Sequence, residues 1–240
     1  MANYVITPLN LGTITRDMSS MAYMTNPGTK VVLPVFAWYV TDGKEKILVD
    51  TGGIEPDGVR FMPYTQSEDQ KLEQALRAIG VECEDIDTVI LTHLHWDHAS
   101  NNHLFPNAKI YVQAKELQYA VTPLPCQVKS YDAKQIFRSE YQILDGDHQL
   151  RDGIFLAFTP GHSPGSQCVV IDTAGGKYCI AGDLVNFDSC WTATPRIANG
   201  FHTNLFEVYQ SFDKVEKFGA RMLFAHEPAI LDHKTFPDGK

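Results

Sequence analysis

Residues 92 to 98 read T-H-L-H-W-D-H and follow directly on the apolar run Asp87 to Leu91, D-T-V-I-L. A strand-length apolar run ending in three imidazoles and a carboxylate restricts the chain to folds in which a buried strand delivers polar side chains to a loop at its end. Open α/β sheets gather ligands at such strand ends. If the loop stays extended, His93 and His95 are two residues apart and point to the same side, while Asp97 and His98 can face a second point after the turn. Two metal ions could be served by one short segment.

Three further candidate ligands stand in the same relation to a strand. His162 lies in T-P-G-H-S-P-G after G-I-F-L-A-F, Asp183 follows K-Y-C-I-A-G, and His226 follows R-M-L-F-A. Four strand ends could therefore converge on one edge. Imidazole and carboxylate donors suit zinc and neighbouring transition metals, and a paired site needs a bridging anionic oxygen plus ligands from elsewhere in the chain. Taken singly, His162 or His226 reads as a surface or hydrogen-bonded structural histidine. Asp50 and Asp183 could each, taken singly, be a turn residue after a strand. The set in order carries the metal reading.

Runs of strand composition recur at 34–40, 46–50, 87–92, 109–113, 153–158, 167–172, 177–182 and 221–225. Helical periodicity lies between them, clearest over 68–79, where Leu72, Ala75, Leu76 and Ile79 share a face behind a Ser67-x-x-Gln70 capping box. A second helix is expected over 205–218. Alternating strands and helices give an α/β class, and the Asp42-Gly43 and Gly175-Gly176 turns add antiparallel hairpins. A sheet sandwich covered by helices fits, as a single domain over residues 1–240 with no linker or low-complexity tract.

The formal charge of −9 and the pI near 5.4 oppose nucleic-acid partners, whose binding rests on Lys and Arg neutralising phosphates. Cys83, Cys126, Cys168, Cys179 and Cys190 are an odd number without C-x-x-C spacing and read as reduced thiols of a cytoplasmic protein. The start lacks a secretory pattern, and no run approaches 18 uninterrupted apolar residues, so no membrane role is expected.

From Asp50 to His226 the chain resembles the metallo-β-lactamase superfamily, whose αββα four-layer sandwich carries H-x-H-x-D-H, then G-H, Asp and His in this order. The resemblance implies that His93, His95 and His162 hold one metal and Asp97, His98 and His226 the other, with Asp183 and a hydroxide bridging them. Asp50, in I-L-V-D-T-G-G, would support the metal loop from behind. Two divalent ions are implied, zinc first, with Mn, Fe or Co as alternatives. The hydroxide would attack an ester-like carbonyl, and Asp97 would pass a proton to the leaving oxygen.

Within that superfamily the chain is similar to the N-acyl-homoserine lactonases in L-P-V-F-A-W-Y-V, T-H-L-H-W-D-H-A-S-N-N, I-Y-V-Q-A-K-E-L-Q-Y-A and T-P-G-H-S-P-G-S-Q. The implied activity is lactone opening. Met18, Met21, Met24, Phe61, Met62 and Tyr64 become candidates for an acyl-chain surface, although core packing is their commoner fate. The quorum-quenching lactonases carry a substrate-binding tyrosine three residues after the bridging aspartate; Asn186 stands there, its amide a shorter-reaching donor and a candidate catalytic group beside Asp97 and Asp183.

Two relatives of the reaction compete: a thioester hydrolase of the glyoxalase II type, which brings a C-terminal segment where only 14 residues follow His226, and a mononuclear iron persulfide dioxygenase. Complete ligand sets for two metals favour the binuclear hydrolase. The expected partner is a small lactone or ester substrate, with no nucleic acid or membrane; a homodimer stands open beside a monomer. The remaining histidines, His103, His148, His202 and His233, read as surface residues. His202 also sits in the long 184–203 segment, where a pocket rim and ordinary loop packing are equally served.

Overall fold

The computed structural model describes residues 3–54 and 63–238. The first half of the chain forms a seven-stranded sheet from β1 (Val5–Asp17), β2 (Lys30–Thr41), β3 (Lys46–Val49), β4 (Tyr64–Thr65), β5 (Thr88–Ile90), β6 (Lys109–Gln113) and β7 (Tyr141–Leu144). Their order is β4-β1-β2-β3-β5-β6-β7. The second half forms a five-stranded sheet from β8 (His148–Arg151), β9 (Ile154–Phe158), β10 (Gln167–Thr173), β11 (Gly176–Ile180) and β12 (Arg221–Leu223), in the order β12-β11-β10-β9-β8.

Successive strand residues point to opposite faces, and both faces of these strands are covered. On β2, Phe36, Trp38 and Val40 join the core between the sheets, where they meet Ile154, Leu156, Val169 and Ile171. The alternate residues Ala37 and Tyr39 face the other way, into a core with Leu72 and Leu76 of α2 (Leu72–Ala78). The second sheet divides likewise. Val169 and Ile171 of β10 point inward, and Cys168 and Val170 point to an outer core with Val208, Phe212 and Val215 of α7 (Leu205–Glu216). Burial on both faces is why these strands read as continuous apolar runs. The layers are helix, sheet, sheet and helix, as the αββα expectation requires.

The other α-helices among the described residues are α1 (Met18–Met21), α3 (Trp96–Ala99), α4 (Ala114–Val121), α5 (Ala133–Ile136) and α6 (Asp188–Thr192). The helix expected over 68–79 is broken. Ser67 and Gln70 form the expected capping box, but on a 3-10 turn over Glu68–Gln70, and Lys71 adopts an extended ψ of 138° before α2 begins. Leu72 and Leu76 are buried as expected, whereas Ile79 caps the helix and is 39% exposed.

Strand β1 lay outside the sequence reading because Pro8, Asn10 and Gly12 interrupt its alternation. The fold tolerates all three. A register shift between Asn10 and Thr13 in the pairing with β2 takes up the irregularity, and β4 pairs with β1 only at Thr13 and Ile14, so Pro8 lies where one side of β1 is an edge. Gly12, at φ 133°, leaves room for the Thr65 carbonyl, which would lie 2.6 Å from any Cβ placed there.

Candidate metal centre

β9 and β11 both pair antiparallel with β10, and β12 runs parallel to β11, so the C-terminal ends of β9, β11 and β12 lie along one edge. His162, Asp183 and His226 follow those three ends. The loop after β5 brings His93 and His95 to the same edge from the other sheet, and α3 supplies Asp97 and His98. All seven residues expected as ligands are buried, none more than 8% exposed. Their donor atoms form three mutually close groups: His93 with His95 and His162, His93 with His98 and Asp183, and Asp97 with His98 and His226.

The first group is a triangle of ring nitrogens. His93 Nε2 is 3.0 Å from His95 Nδ1, which is 3.0 Å from His162 Nε2, which is 3.3 Å from His93 Nε2. Tetrahedral zinc with bonds of roughly 2.0–2.1 Å to nitrogen separates its ligands by about 3.4 Å. Asp183 bridges the groups: Oδ2 lies 3.5 Å from His162 Nε2, and Oδ1 lies 3.2 Å from His98 Nε2 and 3.3 Å from His226 Nε2. Among the described residues, His98 Nε2, His226 Nε2 and Asp183 Oδ1 are buried without a hydrogen-bond partner. Buried polar atoms are seldom left so unless an ion or water serves them. The residues present fit a pair of divalent metal ions.

On four of these histidines the opposite ring nitrogen is spoken for. His98 Nδ1 donates to Asp50 at 2.8 Å, His162 Nδ1 to the Phe201 carbonyl at 2.6 Å and His226 Nδ1 to the Pro34 carbonyl at 2.8 Å. His93 Nδ1 lies 3.0 Å from Thr92 Oγ1, whose proton goes to Asp50. Each bond fixes the tautomer that turns Nε2, with its lone pair, inward. His95 is reversed and presents Nδ1.

Electrostatics favour metal over protons. Burial, reinforced by neighbouring imidazoles, holds His93 and His95 well below the usual histidine pKa and depresses His162 as well, so these rings are neutral. For Asp183, burial pushes the carboxyl up, but His98 and His226 outweigh it and hold it well below the carboxylate range. For His98, burial pulls down, and the carboxylates of Asp183 and Asp50 win, leaving it well above the usual value.

Asp50 works as a clamp. Its Oδ1 accepts from Thr92 N at 2.7 Å, and its Oδ2 accepts from Thr92 Oγ1 and His98 Nδ1, both at 2.8 Å, so one carboxylate holds both ends of the T-H-L-H-W-D-H segment. Gly182, at φ 52°, brings the turn carrying Asp183 against Thr92, where a Cβ would lie 2.8 Å from the threonine side chain.

Sequence reasoning missed Glu116. Fully buried at the start of α4, its carboxylate accepts from Leu94 N at 2.9 Å, Ser163 Oγ at 2.5 Å, Gly165 N at 3.0 Å and Tyr131 Oη at 3.2 Å, and so ties the first metal loop to the second. Its neighbours Lys115 and Gln118 make the segment look like a solvated helix start, so the sequence carries no local signal for it. Arg16, at the end of the unforeseen β1, was missed too.

Asn186 is a correction. It does not line the cavity at the centre: the side chain is fully buried, with Nδ2 donating to the Met21 carbonyl at 2.8 Å, so it anchors α1 instead of reaching toward substrate. His202 also lies outside the lining; Asn199 O accepts from its ring at 2.7 Å, and Tyr23 packs on it edge-to-face. Of the expected acyl-chain residues, Met21 lines the cavity, Tyr64 packs on Trp96, Met18 belongs to the outer core and Met24 is 76% exposed. Phe61 and Met62 lie outside the described residues.

A family profile described as the metallo-beta-lactamase superfamily matches residues 31–226. An N-acyl homoserine lactonase of Bacillus thuringiensis is 32% identical over 170 residues, 65% of this chain and 66% of that protein, just under two thirds of its length. The N-acyl homoserine lactonase AttM of Rhizobium radiobacter is 28% identical over 186 residues, 71% of this chain and 69% of AttM. The solved structure of a mutant of B. thuringiensis AiiA with N-decanoyl-L-homoserine bound at the active site superposes with a TM-score of 0.86 at 26% identity, covering 99% of both chains.

Proposed function

The chain belongs to the metallo-β-lactamase superfamily, and we propose that it is a binuclear metal-dependent hydrolase that opens lactone rings. The observation that carries this reading is the position of Asp183, whose two oxygens face His162 on one side and His98 and His226 on the other. The similar lactonases, one of them with a lactone's ring-opened product bound, indicate the bond.

His93, His95 and His162 would hold one ion, and Asp97, His98 and His226 the other, with Asp183 shared. Two divalent ions supply Lewis acidity and a water activated near neutral pH, and the nitrogen-rich donor set favours zinc over Mn, Fe or Co. The chain's residues do the rest. Asp50 and Glu116 hold the ligand loops before substrate arrives. Trp96, Met21 and Phe201 line the cavity and limit water around the reacting ester. The Asp97 carboxylate, also in the lining, would carry a proton to the ring oxygen as the ester bond breaks. No serine or cysteine nucleophile is called for.

The five cysteines are free, and four of them are buried, which fits a reducing cytoplasm. No helix among the described residues is long and apolar enough to cross a membrane. The core shared by the two sheets supports one domain.

Zinc-loaded protein is tested on acyl-homoserine lactones, aliphatic lactones and S-acyl glutathiones, with His95→Ala and Asp183→Asn as controls. Lactone opening that both substitutions abolish is the expected result. Turnover confined to the thioesters would reject lactone hydrolysis in favour of the glyoxalase II type.

A further inference from the structure

Beside the metal ligands, in the lining of the cavity at the centre, stands a cation that the proposed reaction has not used. Arg16 is the only Lys or Arg in the lining among the described residues. Its side chain is 11% exposed. A guanidinium has five N–H donors, and among the described residues these are poorly served. One is directed at the carbonyl of the adjacent Thr15, a long contact of 3.4 Å. Among the described residues the closest carboxylate oxygen, Asp97 Oδ2, is 3.7 Å away, too far for a hydrogen bond. Trp96 gives the group an aromatic surface, 5.9 Å from ring centroid to guanidinium carbon, but no acceptor.

A buried cation with unspent donors is costly unless something completes it. Burial pulls the Arg16 pKa down, and the charges opposing this are Asp97 and Asp183. Both belong to the proposed ligand set. When divalent ions occupy that set they take up this negative charge, and the wall at Arg16 is left with surplus positive potential facing the substrate. The lining on other sides includes Ile14, Met21, Trp96 and Phe201, which suit a carbon framework and offer no acceptor to a cation.

We propose that Arg16 is a specificity-determining residue that binds a carboxylate, so that the lactone this site takes is an acidic one, bearing a carboxylate on or beside the ring. The planar fork of the guanidinium accommodates two parallel hydrogen bonds to a carboxylate, a geometry that lysine lacks. The assignment rests on the lactone reading for the reaction, while the anion site itself depends only on Arg16 and its surroundings.

The test compares paraconic acid, a γ-butyrolactone carrying one carboxylate, with its methyl ester. Binding by calorimetry and kcat/KM are both measured on the metal-loaded full chain, for the wild type, Arg16→Met and Arg16→Lys. Acid and ester meet the same metal centre, so their ratio is insensitive to any change in metal occupancy that the substitutions cause. The wild type is expected to favour the acid by roughly tenfold or more in both readouts, the scale of a charge-assisted bond. Arg16→Met should erase the preference and Arg16→Lys retain part of it. If Arg16→Met does not fold, the ratio in Arg16→Lys must still drop below that of the wild type.

Equal or better use of the ester by the wild type, or an unchanged ratio in both variants, overturns the assignment. Binding that prefers the acid through Arg16 without any ring opening would uphold the carboxylate site and reject lactone hydrolysis. Opening of neutral lactones with no preference for the acid would do the reverse.

Discussion

The Ser163 hydroxyl donates to the Glu116 carboxylate at 2.5 Å, and through that bond the loop carrying His162 is tied to the helix that also holds Leu94, between His93 and His95. Burial raises the Glu116 pKa against the pull of four donors, Ser163 first. Outer partners of this kind orient ligands, and removing one typically costs about 10–100-fold in metal affinity. Glu116→Ala is expected to weaken metal binding by that amount, measured by competition with a chromophoric chelator, while Tyr131→Phe, which removes only the 3.2 Å bond, has a smaller effect.

Asp50 occupies a left-handed backbone conformation, φ 59°, and pairs with His98 in a site where both side chains are at most 2% exposed. Truncating one member of a buried pair leaves the other uncompensated, at a cost of about 3–5 kcal/mol. Asp50→Ala should lose stability on that scale in urea titrations of metal-free protein. A loss below about 1 kcal/mol, the range of an exposed pair, would show that the clamp is unimportant.

Metal-free protein should lose stability as pH falls. His93, His95 and His162 have folded pKa values below the ordinary histidine value of 6.5, so below that pH the unfolded chain binds protons that the native state refuses. Stability contributed by their neutral forms is complete above pH 6.5 and declines from there toward their depressed folded values. His98, with its raised folded pKa, acts in the other window: its contribution is complete below pH 6.5 and is lost as pH rises through its raised folded value, so it does not offset the other three on the acid side. Thermal melts of chelator-treated protein taken from about pH 6.5 down to about pH 5 should show a falling midpoint toward acid. A flat or rising midpoint would contradict the assignment.

Asn186→Ala separates anchoring from catalysis. Losing the buried bond to Met21 O should cost about 1–3 kcal/mol of stability and raise KM through α1, with kcat nearly unchanged. A fall in kcat of about 10²-fold, the mark of a lost oxyanion donor, would restore the catalytic role that the sequence suggests.

Of the five thiols, Cys126 alone is exposed. Burial also pushes the Cys83 thiol up to about 11, which suppresses its thiolate. Native protein should therefore release one equivalent of chromophore promptly from a disulfide reagent and the remainder only in denaturant. More than one fast equivalent would indicate that the core opens readily.

The sequence disclosed most about residues that follow a strand. His93, His162, Asp183 and His226 each stand just past an apolar run, so the alternation that identifies a buried strand also locates its end. What stayed hidden depends on contacts distant in the chain. Glu116 sits in a segment that reads as solvated, and its donors Ser163 and Gly165 come from more than forty residues away. Arg16 lies near the end of a strand whose Pro8 and Gly12 conceal it, and Asn186 occupies a family position while its side chain turns to Met21. The break at Lys71 was equally invisible, because Leu72 and Leu76 keep a helical spacing whether or not the preceding turn is continuous.

The donor set is split by sheet. His93, His95, Asp97 and His98 come with the seven-stranded sheet of the first half, while His162, Asp183 and His226 come with the five-stranded sheet of the second. Neither half can assemble a complete site for either ion alone. The two halves meet through an apolar core that would tolerate some slippage, but a few tenths of an ångström between imidazoles decides whether an ion is held. With metal held there, the centre would serve as a gauge of assembly: bound metal would certify that the sheets have docked in register, and while bound it would rivet together segments more than a hundred residues apart.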